Sequence, residues 1–182
     1  TLIFRREDGT PVEKLPIRIS NIHHTTDDNG IITLPNKISR NSEIFLVDDR
    51  YLISNRSTHD DYGTVNVILS RIPSKLSIDG IDSGKKVSPE NFYYLFLNDE
   101  NSRRIQDNAI LDKVRFRVSH DSMFIGENLT QKTSGHSFKL SIPNNVCGEI
   151  VITPALMINS ERSVEGLPLN LFVKKNIDPN II

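Results

Sequence analysis

The sequence predicts an all-β chain built as two tandem β-sandwich units. Three observations carry this. Apolar residues recur with a period of two in short runs, as where Leu15, Ile17 and Ile19 alternate with Pro16, Arg18 and Ser20, the pattern of a strand with one buried face. The runs are separated by polar clusters and follow one another at roughly the 8–12 residue spacing of a sandwich. The series then restarts after Ile72-Pro73-Ser74-Lys75, where a proline cannot continue a central ladder. The expected units are residues 1–72 and 73–182.

In the first unit, Leu2 to Phe4 reads as the opening strand and Asp8-Gly9-Thr10-Pro11 as a turn. Leu15 to Ile19 follows; its Pro16 places that strand at an edge or at its own beginning. After the turn Asp28-Asn29-Gly30 come Ile31 to Leu34, Ile44 to Val47, Tyr51 to Ile53 and Val65 to Leu69. In the second unit the expected strands are Leu76 to Ile78, Phe92 to Leu97, Val114 to Val118, Phe138 to Ile142, Ile150 to Ile152 and Leu169 to Val173. Along Phe92 to Leu97 every residue is large and apolar or aromatic, so the strand is expected to be central and buried on both faces. Between Ser102 and Ile110 the β pattern lapses, leaving a short helix or a polar loop.

The halves echo each other. Val12 to Leu15 and Ile17 to Ser20 match Leu111 to Val114 and Phe116 to Ser119. Gly30 to Pro35 matches a stretch from Gly135 to Pro143, and Glu43 to Val47 matches Glu149 to Ile152. Three echoes in order favour a divergent repeat.

Bulk properties narrow the class of function. The 182 residues are 37% hydrophobic and 25% charged, with 22 basic and 23 acidic residues mixed throughout. No concentrated basic face of the kind that binds a phosphate backbone is visible, so nucleic acid is not an expected partner. No apolar run approaches the roughly 18–20 residues of a membrane-spanning helix. The single cysteine, Cys147, excludes an internal disulfide. The chain begins at Thr1 without a leader and reads as an excised fragment or a processed product.

Residues 2–70 resemble the transthyretin-like, or carboxypeptidase-regulatory-like, β-sandwich family. The matching motifs are Asp8-Gly9-Thr10-Pro11-Val12 before an alternating strand, then Thr25-Thr26-Asp27-Asp28-Asn29-Gly30-Ile31-Ile32. Leu15-Pro16-Ile17-Arg18-Ile19 also resembles strands in the accessory extensions of bacterial type VI secretion spike proteins and effectors. The resemblance implies a non-catalytic role, docking a cargo or a neighbouring component. The second unit departs from it, with Ser134-Gly135-His136 in place of the Asp-rich turn.

No constellation points to catalysis or a cofactor. His23 and His24 are neighbours on an expected strand and point to opposite faces, so they cannot share one metal ion without a bend. Asp27 and Asp28 belong to a turn and lack the ligand spacing of a calcium loop. Cys147 with His120 or His136 offers thiolate–imidazole chemistry only if the fold pairs them; a free cysteine is more often a small buried hydrophobe. Gly80 to Gly84 before Lys85-Lys86 lacks the spacing of a phosphate loop and reads as a turn. The stretch Asn55 to Gly63 reads as an exposed connection, and its Arg56, His59 and Tyr62 are residue types favoured at binding hot spots.

The expectation is therefore a non-enzymatic module with no cofactor and no metal. It docks another protein, an effector or a secretion component, and is secreted or delivered through that apparatus. The alternative is an adhesin-type or glycan-binding surface module using exposed aromatics such as Tyr62 or Tyr93, favoured if exposed aromatics share one face.

Overall fold

The structure, a computed structural model, describes residues 1–36, 38, 42–59, 63–121, 123–126 and 129–175. It divides into two compact units, Thr1–Ile72 and Pro73–Ile182.

The first unit contains β1 (Leu2–Arg6), β2 (Pro16–Ile19), β3 (Ile22–Thr25), β4 (Ile31–Ile32), β5 (Ile44–Leu46), β6 (Tyr51–His59) and β7 (Thr64–Arg71). They form a four-stranded sheet ordered β4-β1-β7-β6 and a three-stranded sheet ordered β3-β2-β5. Alternation sets the interior. Leu2 and Phe4 from β1, Val65, Val67 and Leu69 from β7, and Ile17 and Ile19 from β2 fill one core with Leu15 and Tyr51. Both turns form as Asx turns. Asp8 accepts from the Thr10 N–H at 2.9 Å, and Asp27 accepts from the N–H groups of Asn29 and Ile31. Gly30, at φ 72°, lies so close to β1 that a Cβ there would stand 2.4 Å from the Phe4 carbonyl oxygen. Only glycine fits that approach.

Two features of this unit differ from expectation. The strand β3 escapes the pattern because its residues, Ile22-His23-His24-Thr25, are half-exposed or exposed. It forms because Ser20 and Asn21 both adopt positive φ between the paired Ile19 and Ile22, the geometry of a two-residue hairpin turn. Pro16 therefore begins a central strand, not an edge one. Likewise Asn55 to His59 is not an exposed connection but the second half of β6, paired with β7 from Asn55↔Ile68 to His59↔Thr64 after a bulge at Ser54. The bulge shifts the alternation and conceals the strand from a period-two reading.

The second unit contains β8 (Ser77–Asp79), β9 (Lys86–Val87), β10 (Tyr93–Asn98), α1 (Asn108–Leu111), β11 (Val114–His120), β12 (Met123–Gly126), β13 (Thr130–Lys132), β14 (Phe138–Leu140), β15 (Gly148–Met157), β16 (Ser163–Glu165) and β17 (Leu169–Val173). One sheet is ordered β13-β14-β10-β8; the other is ordered β12-β11-β15-β17-β9, with β16 also pairing β15. Phe116 of β11 meets Phe138 of β14 edge to face at 4.8 Å, joining the two sheets. Leu95, Leu97, Val118, Leu140, Ile152 and Leu171 are fully buried around them. The segment with two open readings resolves into a loop followed by one helical turn, α1, whose N-cap Asp107 accepts from the Ala109 N–H. The chain is thus an all-β sandwich protein.

Candidate binding surface

The strand β10 is central in its sheet, held by β14 through Tyr93 to Leu95 and by β8 through Phe96 to Asn98. Its inward residues Leu95 and Leu97 are fully buried. The other face is not covered, contrary to the expectation of burial on both sides. Phe92 is 59% exposed and Tyr94 50% exposed, and Phe96 is half-buried. The reason is architectural: a two-sheet sandwich buries only the facing sides of its sheets, leaving the outer side of each open.

Register places the neighbours of this row. Tyr94 pairs with Lys139, which pairs with Gln131, so these three side chains stand on one face. Phe96 pairs with Asp79, and Asn98 bridges to Arg104. The two cations lie on rings. The Lys139 ammonium is 3.7 Å from the centroid of Phe92, and the Arg104 guanidinium is 3.8 Å from that of Phe96, both within cation–π range. Arg104 also donates to Asp79 at 3.3 Å. The Asp79 carboxyl is held below its usual range, first by the Gly80 N–H it accepts from and then by Arg104.

Gly80 fixes the path of the chain beside this row. It sits at φ 99°, and a Cβ there would stand 2.5 Å from the Tyr94 carbonyl oxygen and 3.2 Å from the Phe96 ring. The chain leaves β8 directly against β10.

The residues singled out from sequence fall elsewhere. Arg56 lies on β6, opposite buried Val67, and its guanidinium donates to the Ser42 carbonyl at 2.6 Å. It therefore spans from one sheet to the segment entering the other. His59 ends β6, its side chain outside the described residues, and Tyr62 lies outside them altogether. Tyr93 faces inward beside Leu140, with its hydroxyl accepting from the Ser88 N–H at 2.8 Å, so it is not an exposed platform. His23 and His24 pair with Arg18 and Ile17 and take opposite faces of β3. Cys147 is exposed, not buried. The His120 imidazole reaches its main-chain carbonyl at 2.6 Å. Among the described residues no three of His, Cys, Asp and Glu gather in a metal-binding cluster, and no helix is long and apolar enough to cross a membrane.

Sequence alone misses the β10 row because its signal reads as burial. A strand apolar on both faces is either covered on both or offers one of them to something else, and sequence does not separate the cases.

No protein-family model and no curated protein sequence matches the chain. Among solved structures it is similar to fibronectin(III)-like modules of Clostridium thermocellum CbhA, at 14% identity and a TM-score of 0.36, over 56% of this chain and 98% of that one. It is similar to Bacteroides ovatus SGBP-B, a structure in complex with a mixed-linkage heptasaccharide, at 10% identity and a TM-score of 0.31, over 89% of this chain and 38% of that one. Extracellular domains 3–5 of Drosophila OTK are similar at 13% identity and a TM-score of 0.29, over 96% of this chain and 59% of that one. None of these likenesses is strong enough to carry a ligand or partner across.

Proposed function

We propose that the chain is a non-catalytic module that docks another protein on the outer face of β10. The observation that carries this reading is the outward pair Tyr94 and Phe96 on a strand fixed from both sides, with exposed Phe92 one residue before it. Large aromatics exposed together on a rigid surface cost little ordering entropy when they are covered, and Phe92 and Tyr94, each about half exposed, still have roughly half of a whole aromatic side chain's area to bury. Arginine and tyrosine beside them match the composition of interface hot spots. Two of the three rings already carry a cation, which favours a protein partner over flat stacking of sugar rings.

In keeping with the resemblance of residues 2–70, the partner proposed is an effector or a neighbouring component of a secretion apparatus, the chain being part of a larger bacterial protein. Arg56 and His59 on β6, with Tyr62 following in the chain, are proposed as a second contact, Arg56 also donating to the Ser42 carbonyl. The test is quantitative pull-down with the wild-type chain and with a Phe92→Ser, Tyr94→Ser double variant. We expect a partner whose recovery falls by at least about tenfold in the double variant, as loss of a hot spot requires. Undiminished recovery refutes docking on this face.

The grouping of exposed aromatics on one face also favours a second reading, glycan binding. Retardation on a soluble polysaccharide gel that depends on Tyr94, with no protein partner, would select it.

A further inference from the structure

The charges on the β10 face define what it takes. Lys139 reaches Phe92 from one side and Arg104 reaches Phe96, while among the described residues no cation is stacked on Tyr94 between them. Same-face residues of a strand repeat at about 6.7 Å, so Phe92, one residue before β10, and Phe96 stand at most roughly 13 Å apart. Among the described residues Lys139 has no carboxylate within ion-pair distance, and Arg104 has one, the half-exposed Asp79. Asp99, close by in sequence, is turned to the N–H groups of Asn101 and Arg103. The face therefore presents a cation on Phe92, a bare tyrosine ring, and on Phe96 a second cation that is paired with Asp79.

We propose that this face binds an extended acidic segment of a partner protein. Carboxylates four residues apart meet Lys139 and Arg104, and an apolar side chain midway packs on Tyr94. An extended segment repeats at the same spacing as β10 itself, so the three contacts form in register. The cations are held over their rings before binding, which reduces the side-chain entropy lost on pairing. The inference rests on the β10 face being the docking surface.

The test is selection of phage-displayed random dodecapeptides on the immobilised full chain, repeated on R104Q/K139Q and on F92S/Y94S, with folding checked by circular dichroism. The wild-type chain is expected to enrich Asp and Glu at a spacing of four around an apolar residue. R104Q/K139Q should lose the acidic enrichment and keep the apolar preference; F92S/Y94S should lose both. For the leading peptide, each neutralised cation should weaken binding by roughly two- to fivefold, as for exposed ion pairs, and added salt should weaken it further. K139R and R104K should retain binding. Neutral or basic consensus sequences, an unchanged acidic preference in R104Q/K139Q, or an empty selection would each overturn the inference, as would binding of polygalacturonate in place of peptides. In those cases docking on β10 stands if F92S/Y94S still lowers partner recovery. Selections indifferent to F92S/Y94S defeat both.

Discussion

Gly80→Ala separates two contributions to how β10 is held. At φ 99° an alanine is strained by its backbone alone, at a cost of about 1–2 kcal/mol. The added methyl would also stand 2.5 Å from the Tyr94 carbonyl oxygen. That oxygen belongs to a strand paired on both sides, so relief requires distortion of the strand, a further cost of about 1–2 kcal/mol. The total, about 2–4 kcal/mol, corresponds to roughly a 30- to 700-fold change in a local opening equilibrium. Amide hydrogen exchange, read by mass spectrometry on peptides covering β8 and β10, measures it directly. Gly84→Ala is the control: Gly84 has φ 84° but nothing within 4 Å of a Cβ, so only the backbone cost applies. Equal acceleration of exchange in the two variants would refute the close approach as the cause. Acceleration below about threefold in Gly80→Ala would refute the strain argument as well.

Thr26→Val tests the first unit: the buried Thr26 hydroxyl accepts from the Leu15 N–H at 2.8 Å and donates to the Val12 carbonyl at 2.7 Å. Valine keeps the shape and removes the hydroxyl partner of both backbone groups, so urea denaturation should show a loss of about 2–4 kcal/mol, whereas Thr26→Ser should lose about 1 kcal/mol. The Asp79 carboxyl has a depressed folded pKa, so its contribution is present at neutral pH and is lost only as pH falls below 3.8 through the lowered value. An NMR carboxyl titration should find its midpoint under 3.8, and a midpoint at or above that would remove Gly80 and Arg104 as effective partners.

The fold was legible where alternation was clean. Strands such as β1, β7, β11 and β17 place their apolar residues inward at every second position, and a period-two reading finds them. It misses strands whose burial is slight or whose pairing is set by turn geometry: β3 depends on the positive φ of Ser20 and Asn21, and β13 presents Thr130-Gln131-Lys132. The candidate surface was present in the sequence as Phe92, Tyr94 and Phe96, but not its exposure, which depends on what packs outside the sheet. The cations above the rings were not legible either. Lys139 arrives from a strand distant in sequence, and Arg104 through an isolated bridge to Asn98. Conversely, Arg56 looked like a loop residue because a single bulge at Ser54 changes which side the chain beyond it faces.

The pairing of β1 with β7 has a mechanical consequence. The two strands run parallel through five register pairs, Leu2↔Val65 to Arg6↔Leu69, and they lie at the two ends of the first unit. Tension between residues 1 and 72 pulls these strands in opposite directions along their length, so the ladder is loaded in shear and its bonds share the force. Hairpin strands pulled from their open end separate bond by bond, like a zipper. Under such tension the first unit resists in shear, and its rupture is governed by the unfolding rate under force and not by its equilibrium stability.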